Sequence, residues 1–192
     1  MMDRGADTHC AMDLLGRGLA FLEAGILVEA ADCFRQAAEL DNTEAQYRIA
    51  KMRLEGVGVP MNYDHAAFWF CKAALKGHAE SQMELAFMYI YGQGVPQDYG
   101  KARDWFIRSA EQGNPSAQNT LGFMYENGLG GWQDYGMAVR WYALAAAQGN
   151  DDAGTALENL ADMGNGLAEQ VLEKLSGIKD FSDLFPEMAS KG

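Results

Sequence analysis

The stretch YGQGVPQDYG, residues 91–100, decides the fold. Gly92 and Gly94 lie one residue apart, directly after an apolar run. A G-x-G pair in that place either cradles a phosphate or turns the chain. A dinucleotide loop needs a strand before it, a helix directly after it and a third glycine three residues beyond the second. Gln97 holds that third place, and Met61 holds it in the preceding occurrence of the motif. The residues before Gly92 have helical rather than strand spacing, with Leu85 and Tyr89 four apart beside small Ala86. The pair therefore reads as a corner between two helices.

The corner recurs. SQMELAFMYIYGQGVPQDYGKARDWFIRSAEQGN begins at Ser81, and related stretches begin at Ala45 and Ala117, a period of 36 residues. Trp69, Trp105 and Trp141 keep that period, as do Gly56, Gly92 and Gly128, and Gly58, Gly94 and Gly130. A fixed period in this range marks stacked supersecondary units. Each unit is predicted to be a helix pair. In the first helix, Ile49/Leu85/Leu121 and Arg53/Tyr89/Tyr125 form a stripe beside Ala50, Ala86 and Gly122. The first glycine ends that helix in the left-handed region, where a Cβ is penalised. Pro60 and Pro96 block its continuation. Asn62, Asp98 and Asp134 are placed to cap the second helix by accepting from its unpaired N–H groups. The second helix is expected to bury Ala66/Ala102/Ala138, the three tryptophans and Ala74/Ala110/Ala146, and to stop at Gly77, Gly113 and Gly149. In GNPSA, Asn114 caps the next helix with Pro115 at its first position.

This pattern resembles the Sel-one-like repeat (SLR) family, relatives of the tetratricopeptide (TPR) repeats. The residues carrying the resemblance are Ala/Ser-Gln at the start, Leu-Ala/Gly-x-Met-Tyr, Gly-x-Gly-Val-Pro-x-Asp, Lys-Ala-x-x-Trp-Phe and Ala-Glu-Gln-Gly-Asn, over residues 45–150. The units depart from it where Arg53 replaces the tyrosine and where Gly131-Trp132 replaces Val-Pro. Trp132 is either an exposed aromatic or folds onto its corner. Residues 11–44 look more like a plain tetratricopeptide unit, through Gly18, Phe21, Gly25, Ala30, Phe34 and Ala37, with Leu40 and Asp41 ending the second helix. The resemblance implies an all-α fold, a right-handed superhelical α/α solenoid of TPR/SLR-type helix pairs. The expected organisation is one solenoid domain over 1–192, with the TPR-like unit at 11–44, SLR units at 45–80, 81–116 and 117–152, and a degenerate C-terminal cap and tail at 153–192. The cap is expected as two short helices near 153–163 and 167–176. Gly164 and Gly166 keep the 36-residue offset of the corner glycines, yet GNGLA also resembles the helix-starting GNPSA, and both registers stay open. In the tail, Phe181, Leu184, Phe185 and Met188 have helical spacing and are expected to fold back on the cap.

Charge and cysteine usage narrow the setting. The formal net charge is −12, and it is uneven. Residues 1–108 carry 11 basic and 15 acidic side chains, and residues 109–192 carry 4 and 12. Nucleic acid and anionic membrane surfaces select positive protein surface, so neither is an expected partner. Cys10, Cys33 and Cys71 show no regular pairing, which suits a reducing compartment. With no signal-like apolar segment at the start, the expected location is the cytoplasm.

Catalytic chemistry is not apparent. No zinc-protease, nucleophile-elbow, P-loop or Cys/His metal spacing occurs, and no cofactor is implied. His65 stands at an exposed helix position and His78 at a helix start. Cysteine-rich members of the resembled family with β-lactam activity carry a cysteine pair per repeat, and this chain does not. The expected function is a non-catalytic module that holds a protein or peptide partner in the concave groove lined by the first helices. If the core takes Ala50/Ala86/Gly122, the next residue along faces the groove, namely Lys51, Phe87 and Phe123, with Leu19 in the first unit. The candidate partner-binding residues are Leu19, Tyr47, Met83, Phe87, Tyr91, Phe123 and Glu126. Met83, Phe87 and Tyr91 are four apart and share one side of a helix. Glu44, Glu55, Glu80 and Glu126 would give an acidic rim suited to a basic segment. A toxin-neutralising immunity protein is the second reading, since some bacterial members of the family have that role. A β-lactamase-like hydrolase is the third.

Overall fold

The computed structural model describes residues 4–177, and these are all-α. Two compact units meet in sequence at Asp98 and Tyr99. The first holds α1 (Arg4–Glu23), α2 (Leu27–Glu39), α3 (Thr43–Glu55), α4 (Tyr63–Leu75) and α5 (Ala79–Tyr91). The second holds α6 (Tyr99–Glu111), α7 (Pro115–Asn127), α8 (Tyr135–Ala147), α9 (Asp151–Asp162) and α10 (Gly166–Gly177). Within each unit every helix packs on the next in sequence, the arrangement of an α/α solenoid.

The predicted caps at Asn62, Asn114 and Asp134 are in place. Asn42, Asn114 and Asn150 each accept at 2.9 Å from the N–H three residues on, opening α3, α7 and α9. Asn62 and Asp134 open α4 and α8 in the same way, also at 2.9 Å. Each such cap contributes about 1 kcal/mol. Gly56, Gly92 and Gly128 close α3, α5 and α7 at φ 71°, 66° and 66°. The residue that denied the corner a third glycine has its own task. Gln97 donates from Nε2 to the Ile90 carbonyl, and Gln133 to the Glu126 carbonyl, each at 2.7 Å. These bonds satisfy carbonyls that a helix end leaves unpaired.

The second glycine of each pair answers a different need. A Cβ at Gly58, Gly94 or Gly130 would run into the backbone carbonyl of Leu27, Tyr63 or Tyr99, respectively. Those three residues open α2, α4 and α6 and are themselves 36 apart. Each corner thus closes on the start of the preceding second helix.

The same side-chain pattern recurs at that period in the core of each unit. Ala30, Phe34, Ala37 and Ala38 of α2 recur as Ala66, Phe70, Ala73 and Ala74 of α4, all at most 1% exposed. In the second unit Ala102, Phe106, Ser109 and Ala110 of α6 are equally buried, and Tyr142 of α8 takes the aromatic place. Removing one such ring from the core costs about 3–5 kcal/mol. The expected burial of all three tryptophans holds for one of them. Trp141 is buried, but Trp69 and Trp105 are half-buried, because the residue after each faces the first helices instead. Lys72 lies 5.0 Å from the Trp69 ring and Arg108 lies 4.6 Å from that of Trp105, one helical turn on, so cations cover those outer faces. Leu144 stands at the equivalent place beside the buried Trp141. Ala146 is likewise only half-buried. In α5 the buried stripe is Leu85, Ala86 and Met88, with Tyr89 half-buried rather than core.

Three buried glutamines tie the repeats together. Nε2 of Gln46, Gln82 and Gln118 donates to the Ala38, Ala74 and Ala110 carbonyls at 3.2, 3.0 and 3.0 Å. Each joins the start of a first helix to the end of the helix before it. Asp41 replaces the helix-ending glycine of later repeats at φ 69°, and Lys76 pairs with its carboxylate.

The C-terminal register is settled. Gly164 follows the last helical cap residue at φ 82°, as Gly77, Gly113 and Gly149 do at 92°, 88° and 85°. Asn165 Oδ1 accepts from Leu167 and Ala168 N–H at 3.1 Å. GNGLA therefore starts a helix. α8, α9 and α10 share a core of Val139, Tyr142, Leu157, Leu160 and Val171. Trp132 is exposed, at 91%. The expected tail contacts of Phe181, Leu184, Phe185 and Met188 lie outside the described residues.

Gly94→Ala and Gly77→Ala separate backbone conformation from packing. Both residues have positive φ, but a Cβ at Gly77 would meet nothing within 4 Å. We expect Gly77→Ala to cost about 1–2 kcal/mol, the left-handed penalty alone. Gly94→Ala should cost clearly more in urea unfolding of the whole chain. Equal losses would show that the corner does not depend on the Tyr63 contact.

Candidate functional site

The face of the first unit that lies outside the core stripe is built by α3 and α5. Their small residues, Ala50 and Ala86, are fully buried beside buried Ile49 and Leu85, so the residue that follows each, Lys51 and Phe87, turns away from the core. Tyr47, Lys51 and Leu54 come from α3, and Met83, Glu84, Phe87 and Tyr91 from α5. Leu54, Tyr63, Glu84, Phe87, Met88, Tyr91 and Gln93 line a cleft of about 350 Å³. Phe87 and Tyr91 stack with centroids 6.4 Å apart and planes 11° from parallel. Tyr91 is 65% exposed and Phe87 half-buried.

Polar groups at the cleft are unevenly matched. Lys51 Nζ lies 3.5 Å from Glu55 Oε1 and 3.6 Å from Glu84 Oε1. Burial pushes the Glu84 carboxyl above its ordinary range, and the neighbouring Lys51 only partly offsets this. Burial works against the Lys51 ammonium too, but there Tyr47 and the two carboxylates prevail and raise it. Burial also raises the Tyr47 phenol.

The other predicted residues are placed as follows. Leu19 is half-buried and packs on the core of the first unit with Leu15 and Leu22. Tyr47 rests on the His78 ring, 4.9 Å between centroids, and tilts against Phe70 at 6.0 Å. Met83 is half-buried. In the second unit, Phe123 is 51% exposed on α7. Glu126 accepts from the Tyr142 hydroxyl at 2.6 Å, and burial together with that carboxylate pushes the phenol pKa far up. The expected acidic rim is largely engaged, with Glu44 on Arg48 and His78, Glu55 on Lys51, and Glu80 beside His78.

The sequence reading did not foresee a line of groups around His78. Its Nε2 lies 3.3 Å from Glu44 Oε2, and its Nδ1 lies 3.0 Å from Ser81 Oγ. That is the order of an acid, an imidazole and a hydroxyl. The hydroxyl has no access, since Ser81 is 0% exposed. Nδ1 also accepts from the Ser81 N–H at 3.2 Å, so the ring caps α5 as the asparagines cap their helices. Accepting there places the ring proton on Nε2, where it faces Glu44. The trio therefore holds a helix end. Among the described residues, no three His, Cys, Asp or Glu side chains converge as a metal site, and no helix is long and apolar enough to cross a membrane.

Tandem antiparallel helix pairs of 36 residues, closed by paired glycines, define a repeat-scaffold protein. The sequence model of the Sel1 repeat family matches residues 14–42, 43–78, 79–114 and 115–150, and the chain belongs to that family. The match includes the first unit, despite its shorter corner. Sel1 repeats generally mediate protein–protein interaction and are generally non-enzymatic scaffolds. A protective antigen present in uropathogenic Escherichia coli strains, displaying an SLR fold, is 32% identical with a TM-score of 0.79. That comparison covers 95% of this chain but 46% of the antigen, so the chain spans just under half its length. A Sel1 repeat protein from Oxalobacter formigenes is 26% identical with a TM-score of 0.70, over 89% of this chain and 72% of the other. No curated protein matches the chain.

Two adjacent substitutions test the assignment of faces. Ala86→Phe, at a fully buried site, should destabilise the chain by about 1–3 kcal/mol through overpacking. Phe87→Ala should cost at most about 1 kcal/mol, since that ring lies outside the core stripe. Large, equal losses in thermal unfolding would mean that Phe87 belongs to the core.

Proposed function

We propose that this chain is a non-catalytic interaction module that holds a segment of a partner protein against its first-helix faces. The observation that carries this reading is the stacked Phe87–Tyr91 pair on a cleft, left over after Leu85, Ala86 and Met88 complete the core of the same helix. Rigid aromatics with a water-exposed edge make effective anchors, because they bring large area at little entropic cost. In the second unit Phe123 offers a separate anchor of the same kind. Leu19, Tyr47 and Glu126 are held by neighbours in their own unit, and they support the anchors rather than replace them.

A photo-crosslinking amino acid at Tyr91, compared with the same group at Phe68 on the outer face of α4, tests the proposal. In lysate of the source organism, position 91 should capture a discrete partner, and Phe87→Ala should abolish the capture. Capture through position 68 alone, or capture indifferent to Phe87→Ala, would move binding to another face. Loss of the partner's own activity in the complex would make the chain an inhibitor; retained activity would make it an adaptor.

A further inference from the structure

We infer that the α3/α5 cleft is a receptor for one arginine side chain of the partner, stacked on Phe87 and Tyr91 and bonded to Glu84. This rests on the groove reading above and names the chemistry that the groove selects.

Three observations lead to it. The first is the state of Glu84. Its side chain is 16% exposed and lines the cleft, yet its charged neighbour is Lys51 at 3.6 Å, beyond hydrogen-bond range. A carboxylate taken out of water without full hydrogen bonding is costly and favours any donor that can reach it. The second is the balance of charge. Lys51 is shared between Glu84 and Glu55, so the three groups together carry one net negative charge at neutral pH. One incoming cation balances them, whereas an incoming carboxylate would add repulsion. The third is shape. The Phe87 and Tyr91 rings lie nearly parallel and line the same cleft as Glu84, and Tyr91, 65% exposed, offers flat π surface. A guanidinium is planar, weakly hydrated and able to stack on a ring while giving two N–H groups to one carboxylate. A lysine ammonium has no flat face and holds its water more strongly. Leu54 and Met88 at the wall of the cleft suit the arginine methylene stem.

The probes are Nα-acetyl-arginine N-methylamide, its citrulline counterpart, which is neutral and of the same shape, and the leucine amide. Binding is read from the Leu54 and Met88 methyl NMR signals of the intact chain. The arginine amide should shift both signals saturably and bind at least about five-fold tighter than either control. Glu84→Gln should erase the preference over citrulline while leaving the thermal midpoint unchanged or higher, since an unneeded buried charge is removed. Equal binding of arginine and citrulline, a preference that survives Glu84→Gln, or no shift from the arginine amide would each overturn the inference. A leucine amide that binds as well as arginine would make the occupant an apolar side chain. The two levels separate cleanly. If position 91 captures a partner but arginine shows no preference, the groove stands and the arginine receptor falls. If arginine binds but position 91 captures nothing, the receptor stands and the groove reading falls.

Discussion

The fold depends on a missing atom. At Gly58, Gly94 and Gly130 the backbone of the corner lies against the first carbonyl of the preceding second helix, at a separation no Cβ would allow. A helix pair alone buries one stripe and leaves another bare, so it must stack to be stable. The same close approach recurs within both units, and the second glycine supplies it. The first glycine is a separate device: it ends a helix, and the second lets the turn settle on its neighbour. A phosphate loop also uses glycine for close backbone approach, which is why the motif is ambiguous until its surroundings are read.

The polar core follows the same logic. A buried glutamine that donates to the last carbonyls of the previous helix would be expensive without its partner. The Nε2 groups of Gln46, Gln82 and Gln118 all have theirs, while Gln46 Oε1 is buried without one. The exception to the pattern is Tyr142, which puts a hydroxyl where Phe34, Phe70 and Phe106 have none. It coincides with Glu126, which takes the place of Leu54 and Ile90 and accepts that hydroxyl. Gly122 makes room for the ring, since a Cβ there would lie 2.7 Å from Tyr142 Cδ1. A similar exchange surrounds Arg103, which replaces the alanine of earlier repeats. Its guanidinium lies 4.0 Å from the Tyr125 ring centroid and fills the space that Gly131 leaves where a valine stands in the other corners.

Elements set by local chemistry were legible in the sequence. Corner glycines, asparagine caps and helix ends depend on residues within one turn, and they stand where the spacing put them. The burial of the tryptophans was misread because size and period alone do not say which of two adjacent aromatics faces the core. A rotation of one residue on a helix is 100°, and Phe70 and Phe106 take the inward place beside Trp69 and Trp105. The cations at Lys72 and Arg108, against Leu144 beside Trp141, were the available signal. Phe87 and Tyr91 were legible as a face because they follow a small buried residue at fixed spacing. The cleft itself was not, since its wall brings Leu54 of α3 and Tyr63 of α4 together with Glu84, Phe87 and Tyr91 of α5, a juxtaposition with no sequence period. The cap at His78 was foreseen as a helix start, but its line to Glu44 needed the third dimension.

Internal repetition provides a comparison that a single sequence otherwise lacks. Positions that hold their identity through the period, namely the corner glycines, the small alanines and the buried glutamines, are those whose contacts recur in each helix pair. Their constancy has a structural cause and points to no ligand. Positions that change identity from repeat to repeat are not held by that recurring contact. Lys51, Phe87 and Phe123 form one such column, and Tyr47, Met83 and Asn119 another. Glu126 also departs from its column, but Tyr142 accounts for it. Both columns lie on first helices, where Glu84 stands 16% exposed with Lys51 at 3.6 Å. A scaffold that repeats its core and varies one face carries its specificity where the period fails.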